Sequence, residues 1–228
     1  MIARKGIFVI GFAMMIGFVV VLIIFFLPVF EGKNGLDYMD NLYNSISKAS
    51  AYYIPKVKEE TNGYFGDMIS LTLHMQDDQT AERCARLFEK GGAETTVSGN
   101  ILTVSGDLGK ILENCLDDAE AMYQNDSDQI SEKYEYDARL ALYNWWLTFR
   151  EMDKDLKKQK KFKEARIVTE VKDKAIECSY NYFGIEPQRL MDKIGIVILS
   201  LVFYVIYTLW YGFAFLYMFE GWGMQLEH

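Results

Sequence analysis

The chain has 228 residues, half of them hydrophobic, with 24 basic residues against 32 acidic ones and a net charge of −8. Residues 31–193 hold 22 of the basic and 30 of the acidic residues, and so the whole of that net charge. A segment of this size can bury its own core, but it lacks the clustered positive field that a nucleic-acid surface or tight electrostatic docking to anionic lipid requires.

Arg4 and Lys5 precede 25 uncharged residues, Gly6–Phe30. A hydrocarbon core about 30 Å thick needs ~20 apolar residues in a helix, and a helix satisfies its own backbone polar groups there. Residues 7-30 are therefore expected to form a first transmembrane helix. The run exceeds the ~7–15-residue core of a secretory signal, and Leu27-Pro28-Val29-Phe30-Glu31 is a poor cleavage sequence. An uncleaved anchor is the expectation. Basic residues flanking a span favour the cytoplasm, which places residues 1-6 there. Within the run, Ala13 and Gly17 form a small-x-x-x-small pair, a candidate helix-packing contact.

Residues 31-66 read as a juxtamembrane helical stalk and linker. Leu36, Met39, Tyr43, Ile46 and Ala49/Ala51 recur at helical spacing, and Pro55 disfavours helix at the residue before it. The stalk is expected to continue the first span outward.

Residues 67-125 read as a small α/β subdomain. Ile69, Leu71, Leu73 and Met75 alternate with Ser70, Thr72 and His74, the period of a half-buried strand. Asp77-Asp78 offer N-caps to a helix with Ala81, Cys84, Ala85 and Phe88 on one face. Gly91-Gly92 ends it. Strands around Glu94–Ser98 and Ile101–Ser105 flank a positive-φ turn at Gly99-Asn100. Asp107 caps a second helix with the stripe Leu108, Ile111, Leu112, Cys115, Ala119 and Met122. The order β-α-β-β-α is a ferredoxin-like split unit without its last strand. The segments starting at Ile69 and Ile101 each run from strand through an Asp-containing turn into a helix with an inward cysteine, a hint of internal duplication. Cys84 and Cys115 are thus a candidate disulfide or close pair, with Cys178 apart. Two buried thiols acting as small hydrophobes would give the same stripes.

Residues 126-190 read as a helical hairpin. Ile130, Tyr134, Ala138, Ala141/Leu142, Trp145, Phe149 and Met152 mark one helix, LKKQKKFKEA a charged bend, and Phe162, Ala165, Val168, Ala175, Ile176 and Tyr182 the return. Trp145 and Trp146 point about 100° apart on a helix, so one is expected in the core and the other half-exposed.

Ile194–Phe219 is a second uncharged run, of 26 residues. It places a second transmembrane helix at 191-219, and a short tail follows at 220-228. Two spans put both termini in the cytoplasm and the middle domain in the periplasm or outside the cell. Arg189 and Lys193 before this span, with Glu220 and Glu227 after it, argue the other way, but the first helix usually sets orientation. Leu226-Glu227-His228 matches the leader into a polyhistidine tag. Ser200, Tyr204, Tyr207 and Tyr211 fall within about 60° on a helical wheel. Hydroxyls crossing a bilayer middle favour a protein partner, so these four form a candidate intramembrane partner-packing stripe.

No catalytic, cofactor or metal motif emerges. The two histidines lie outside both spans, and neither a C-x-x-C-H, a C-x-x-C pair nor a glycine-rich phosphate loop is present. The acid pairs Glu59/Glu60, Asp77/Asp78 and Asp117/Asp118 lack EF-hand spacing and are expected on the solvated surface. Asn125-Asp126-Ser127 is a glycosylation sequon. The expectation is a membrane α+β protein: two transmembrane helices flanking an acidic extracytoplasmic domain in the cell (inner or plasma) membrane. The leading function is a non-catalytic structural or interaction subunit of a multi-subunit membrane complex. Its partners would be the bilayer and other membrane subunits or further copies. An accessory sensor or regulator with a ligand-binding outer domain is the alternative. A third reading is a ring-forming scaffold, similar in architecture alone to polysaccharide chain-length regulators.

Overall fold

The structure is a computed structural model and describes residues 2–224. The tag-like Leu226-Glu227-His228 lies outside the described residues. The chain forms two compact units: residues up to Ser47 with those from Pro187 onward, and Lys48–Glu186. The architecture is mostly helical, with one three-stranded antiparallel sheet.

The first unit is built on two helices long and apolar enough to cross a membrane, α1 (Lys5–Phe26) and α10 (Leu190–Trp222). Neither is the core helix of a globular domain. The buried positions are Gly11 in α1 and Ala214 and Gly221 in α10, and the other apolar side chains are exposed or half-buried. The helices run antiparallel. Arg4 pairs with Glu220 at 2.6 Å at one end, Phe18 stacks on Tyr207 near the middle, and Phe25 stacks on Phe203 at the other end. At ~1.5 Å per residue, the 33 residues of α10 outreach the 22 of α1, so residues 190–202 extend past the last turn of α1.

The expected stalk is corrected. Pro28 forces Leu27 into extended backbone (φ −78°, ψ 152°), which ends α1. Glu31 and Gly32 then take positive φ in a turn closed by the Phe30–Lys33 bridge. A separate helix, α2 (Gly35–Ser50), begins there, with Asn34 Oδ1 accepting from Asp37 N at 2.9 Å. Tyr43 reaches Ser200, and Ser45 O accepts from Gln188 N at 3.1 Å. α2 therefore lies along the start of α10 and does not prolong α1.

The second unit contains α3 (Ile54–Thr61), β1 (Met68–His74), α4 (Asp78–Lys90), β2 (Glu94–Ser98), β3 (Ile101–Asp107), α5 (Leu108–Tyr123), α6 (Ser127–Tyr134), α7 (Ala138–Lys158), α8 (Phe162–Val171) and α9 (Glu177–Asn181). A π-helical segment, Lys172–Ile176, joins the last two. The sheet order is β1-β3-β2, with Leu71 opposite Val104 and Val97 opposite Leu102. In β1 the alternation resolves as Ile69, Leu71 and Leu73 buried between exposed neighbours, His74 among them. Aspartates start the helices as their positions imply: Asp77 accepts from Thr80 N at 2.7 Å, and Asp107 from Gly109 N at 2.9 Å. The free edge of β1 is covered by α7. Thr72 N donates to Asp155 Oδ2 at 3.1 Å, and Gln159 Nε2 donates to Ser70 O at 2.9 Å. Side chains thus satisfy groups that an open edge would offer to another strand.

Two further expectations change. The single helix expected over 130–152 is two, broken where Glu135 turns left-handed (φ 63°) and Asp137 caps α7. Asp118 is not on the solvated surface. It is 2% exposed and accepts from Lys133 Nζ at 2.5 Å, Trp145 Nε1 at 2.8 Å and the Tyr134 hydroxyl. Asp117, one residue away on the helix, stays outside with Lys58 at 2.9 Å. Cys84, Cys115 and Cys178 are all free, buried thiols. The Cys84 Sγ lies 4.0 Å from Asn144 O on α7, while Cys115 is enclosed on α5 near Asp118. Burial pushes the Cys84 thiol up to about 12 and the Cys115 thiol well above its usual value. Both are packed among apolar side chains of the core.

Trp145 is wholly buried, edge-on to Phe88 and Phe149. Trp146 is half-buried, stacks on Tyr143 and donates from Nε1 to Glu177 Oε1 at 2.7 Å.

Candidate functional site: the aromatic face of the apolar helices

Ser200, Tyr204, Tyr207 and Tyr211 sit at steps of four, three and four along α10, so the helix itself aligns them. The structure separates their roles. Ser200 Oγ donates its one hydrogen to Val197 O at 2.8 Å. The 2.7 Å contact with Tyr43 must therefore have the Tyr43 hydroxyl as donor. Ser200 is satisfied within its own chain.

The tyrosines form part of an aromatic ladder. Tyr207 stacks on Phe203 (5.5 Å, 16°) and on Phe18 (4.2 Å, 18°). Phe18 also meets Tyr211 at 5.2 Å, and Tyr211 stands edge-on to Phe215 at 4.7 Å. These rings weld the two helices by contact area and quadrupole geometry. The phenol oxygens gain nothing from it. The Tyr207 hydroxyl is buried without a hydrogen-bond partner. Tyr204 is 67% exposed and Tyr211 45% exposed, and among the described residues neither hydroxyl has an acceptor.

The stripe does not cross the middle of the helix pair as a whole. Tyr207 and Tyr211 lie opposite Phe18, midway along α1. Tyr204 follows Phe203, which faces Phe25 near the end of α1, and Ser200 lies further out beside α2. Beside these residues an apolar slot of about 600 Å³ is walled by Val21, Phe25, Leu36, Met39, Leu199 and Tyr204.

Close approach is carried by other residues than Ala13 and Gly17 as a pair. Ala13 is exposed. A Cβ on Gly11 would stand 2.6 Å from Met218 N and 2.9 Å from Ala214 O, and one on Gly17 would stand 2.9 Å from the Trp210 ring. Gly17 therefore makes room for a side chain, whereas Gly11 admits a backbone. Trp210 Nε1 in turn donates to Met14 O at 3.0 Å. The missed signal is the facing of two small residues, Gly11 and Ala214, which no spacing within one helix reveals.

At the far end, Glu220, which argues against the expected orientation, meets Arg4, which argues for it. Arg4 pairs with Glu220, and Arg4 N donates to Gly221 O at 2.9 Å. Among the described residues there is no group of three or more His, Cys, Asp and Glu side chains placed to hold a metal ion.

A smaller groove of about 290 Å³ lies on the second unit, between Tyr143 and Trp146 of α7 and Glu177 and Tyr180 of α9. Arg150 lies over the Trp146 ring at 5.0 Å and Arg139 over Tyr180 at 5.6 Å. Comparison with protein-family models, with curated proteins and with solved structures finds no match to this chain.

Proposed function

We propose that the chain is a non-catalytic interaction subunit of a membrane complex and that the Tyr204–Tyr211 face of α10 receives a helix of a partner subunit. The observation that carries this reading is the set of three phenol hydroxyls, Tyr204, Tyr207 and Tyr211, on one face of an apolar helix without an acceptor among the described residues. A polar group unsatisfied in hydrocarbon is costly. Interhelical hydrogen bonds are a recognised source of association in lipid, worth roughly 0.6–2 kcal/mol each. Arg4 and Lys5 before α1 support a non-cytoplasmic Lys48–Glu186 domain. Its β-α-β-β-α order and β1-β3-β2 sheet suit a ferredoxin-like unit in which Asp155 of α7 and Gln159 just past its end occupy the edge a fourth strand would take.

The test is photo-crosslinking in native membranes. A photoreactive residue at position 204 or 211 should give a discrete protein adduct, whereas Leu209, about 180° away on the helix, should give lipid adducts alone. Lipid adducts at all three positions would refute the reading. The aromatic groove at Trp146 and Glu177 favours a second reading, in which the outer domain binds a ligand and reports through partner helices.

A further inference from the structure

Lys48 is among the largest wholly buried side chains of the protein. A buried ammonium normally sits on a carboxylate, but among the described residues Lys48 makes no ion pair. Its Nζ donates instead to Ile185 O at 2.6 Å and to Asn125 Oδ1 at 3.1 Å, and it lies 4.9 Å from the centre of the Tyr123 ring. The Tyr123 hydroxyl donates to the Lys48 backbone oxygen, closing the same corner. Burial lowers the Lys48 pKa, opposed by the negative charge of Glu186 and of Cys178 when ionised.

Asn125 is the second half of the arrangement. It holds a left-handed backbone (φ 63°), uncommon outside glycine. Its amide uses every bond available to it. Oδ1 accepts from Lys48 Nζ and from Gly184 N at 2.8 Å; Nδ2 donates to Ile185 O and to Glu186 Oε1, both at 3.2 Å. The sequon asparagine is thus spent inside the fold. Lys48 is the first residue of the Lys48–Glu186 unit, and Gly184, Ile185 and Glu186 are its last three. The cluster joins the chain's way into this domain to its way out, over the α5–α6 turn.

We infer that Lys48 and Asn125 form a clasp, a local conformational device that binds the incoming and outgoing strands of the domain to each other and to the α5–α6 turn, and that can open without unfolding the domain. The separability follows from where the bonds lie. The side-chain bonds of Lys48 and Asn125 join the end of α2, the 124–126 turn and residues 184–186, and none reaches the sheet, α4 or α7; Tyr123, the last residue of α5, holds the Lys48 backbone oxygen, a bond that neither side chain makes. A displacement applied to the chain at Pro187 would reach Lys48 and the α5–α6 turn through Ile185 and Asn125 together.

The experiment is amide hydrogen exchange on the full-length protein in detergent, comparing wild type with Lys48→Met, which keeps an unbranched apolar stem, and with Asn125→Gly, which tolerates the left-handed backbone but removes the amide. Both variants should exchange about tenfold faster or more at residues 184–186 and 49–53, with β1, β3 and α5 at their wild-type rates, the signature of a local opening. Unchanged exchange at 184–186 in both variants would overturn the clasp. So would acceleration spread evenly over β1, β3 and α5, which would make Lys48 an ordinary core residue. If Lys48→Met alone fails to fold, Asn125→Gly reads the same bonds from their other side.

Discussion

Asp118 supplies the sharpest test of the soluble core. Asp118→Ala removes the acceptor shared by Trp145 Nε1, the Tyr134 hydroxyl and Lys133 Nζ. Trp145 is wholly buried and Tyr134 nearly so, so their donors are left without water. An unsatisfied buried donor costs about 1–3 kcal/mol. Lys133 is about one-quarter exposed and can turn outward, so its share is small. Two orphaned donors give about 2–6 kcal/mol, a large part of the roughly 5–15 kcal/mol that holds a domain together. Trp145 and Tyr134 both donate to Oδ2, so Asp118→Asn with its amide oxygen at that place keeps both buried donors satisfied, gives up only the part-exposed Lys133 contact and should lose well under half as much. Urea unfolding of the full-length protein in detergent, followed by tryptophan fluorescence, measures both. A loss below about 1 kcal/mol for Asp118→Ala would refute the reasoning. The pH dependence carries a definite sign. Burial raises the Asp118 pKa, with Lys133 and the two neutral donors opposing. A carboxyl raised on folding binds more protons folded than unfolded, so its contribution is full below the ordinary carboxylate value. It is lost as pH rises through the raised one. Asp118→Asn should flatten the stability profile in that window.

At the apolar helices, Gly11→Leu should destabilise the helix pair by at least a few °C in detergent melting, because backbone atoms of Met218 and Ala214 stand where the side chain must go. Ala13→Leu at an exposed position should leave the melting point unchanged. A free-thiol count on non-reduced, unfolded protein should give three, with Cys178 modified ahead of Cys84 and Cys115 before unfolding; a count of one would restore the disulfide. A double-mutant cycle of Tyr43→Phe and Ser200→Ala should show a coupling of about 0.5–1.5 kcal/mol; additivity would mean that their contact does not hold α2 against α10.

The elements were legible wherever the decisive interactions are local. The charge-free runs mark α1 and α10 because helix length and side-chain transfer depend on composition alone. Alternation marks β1 because successive side chains point to opposite faces. Asp77 and Asp107 mark helix starts because an N-cap reaches only the next two or three amides. In the candidate site, spacing placed the Ser200–Tyr211 stripe on one helix face but could not show that Ser200 is satisfied by Tyr43, 157 residues away.

What tertiary structure alone decided is partner identity. Asp117 and Asp118 are the same residue in adjacent places. Only the packing of α6 and α7 against α5 turns one into a surface charge and the other into a buried acceptor. Lys48 reads as one more charge on an acidic segment until the fold brings Ile185 and Asn125 to it. Gly11 reads as one small residue among many until Ala214 and Met218 arrive from the other end of the chain. A side chain's local conformation is set within a few bonds of its backbone. Whether it is solvated, paired or crowded depends on atoms well beyond its neighbours in sequence, from 15 residues away at Asp118 to 137 at Lys48, and their position is fixed only when the chain has folded.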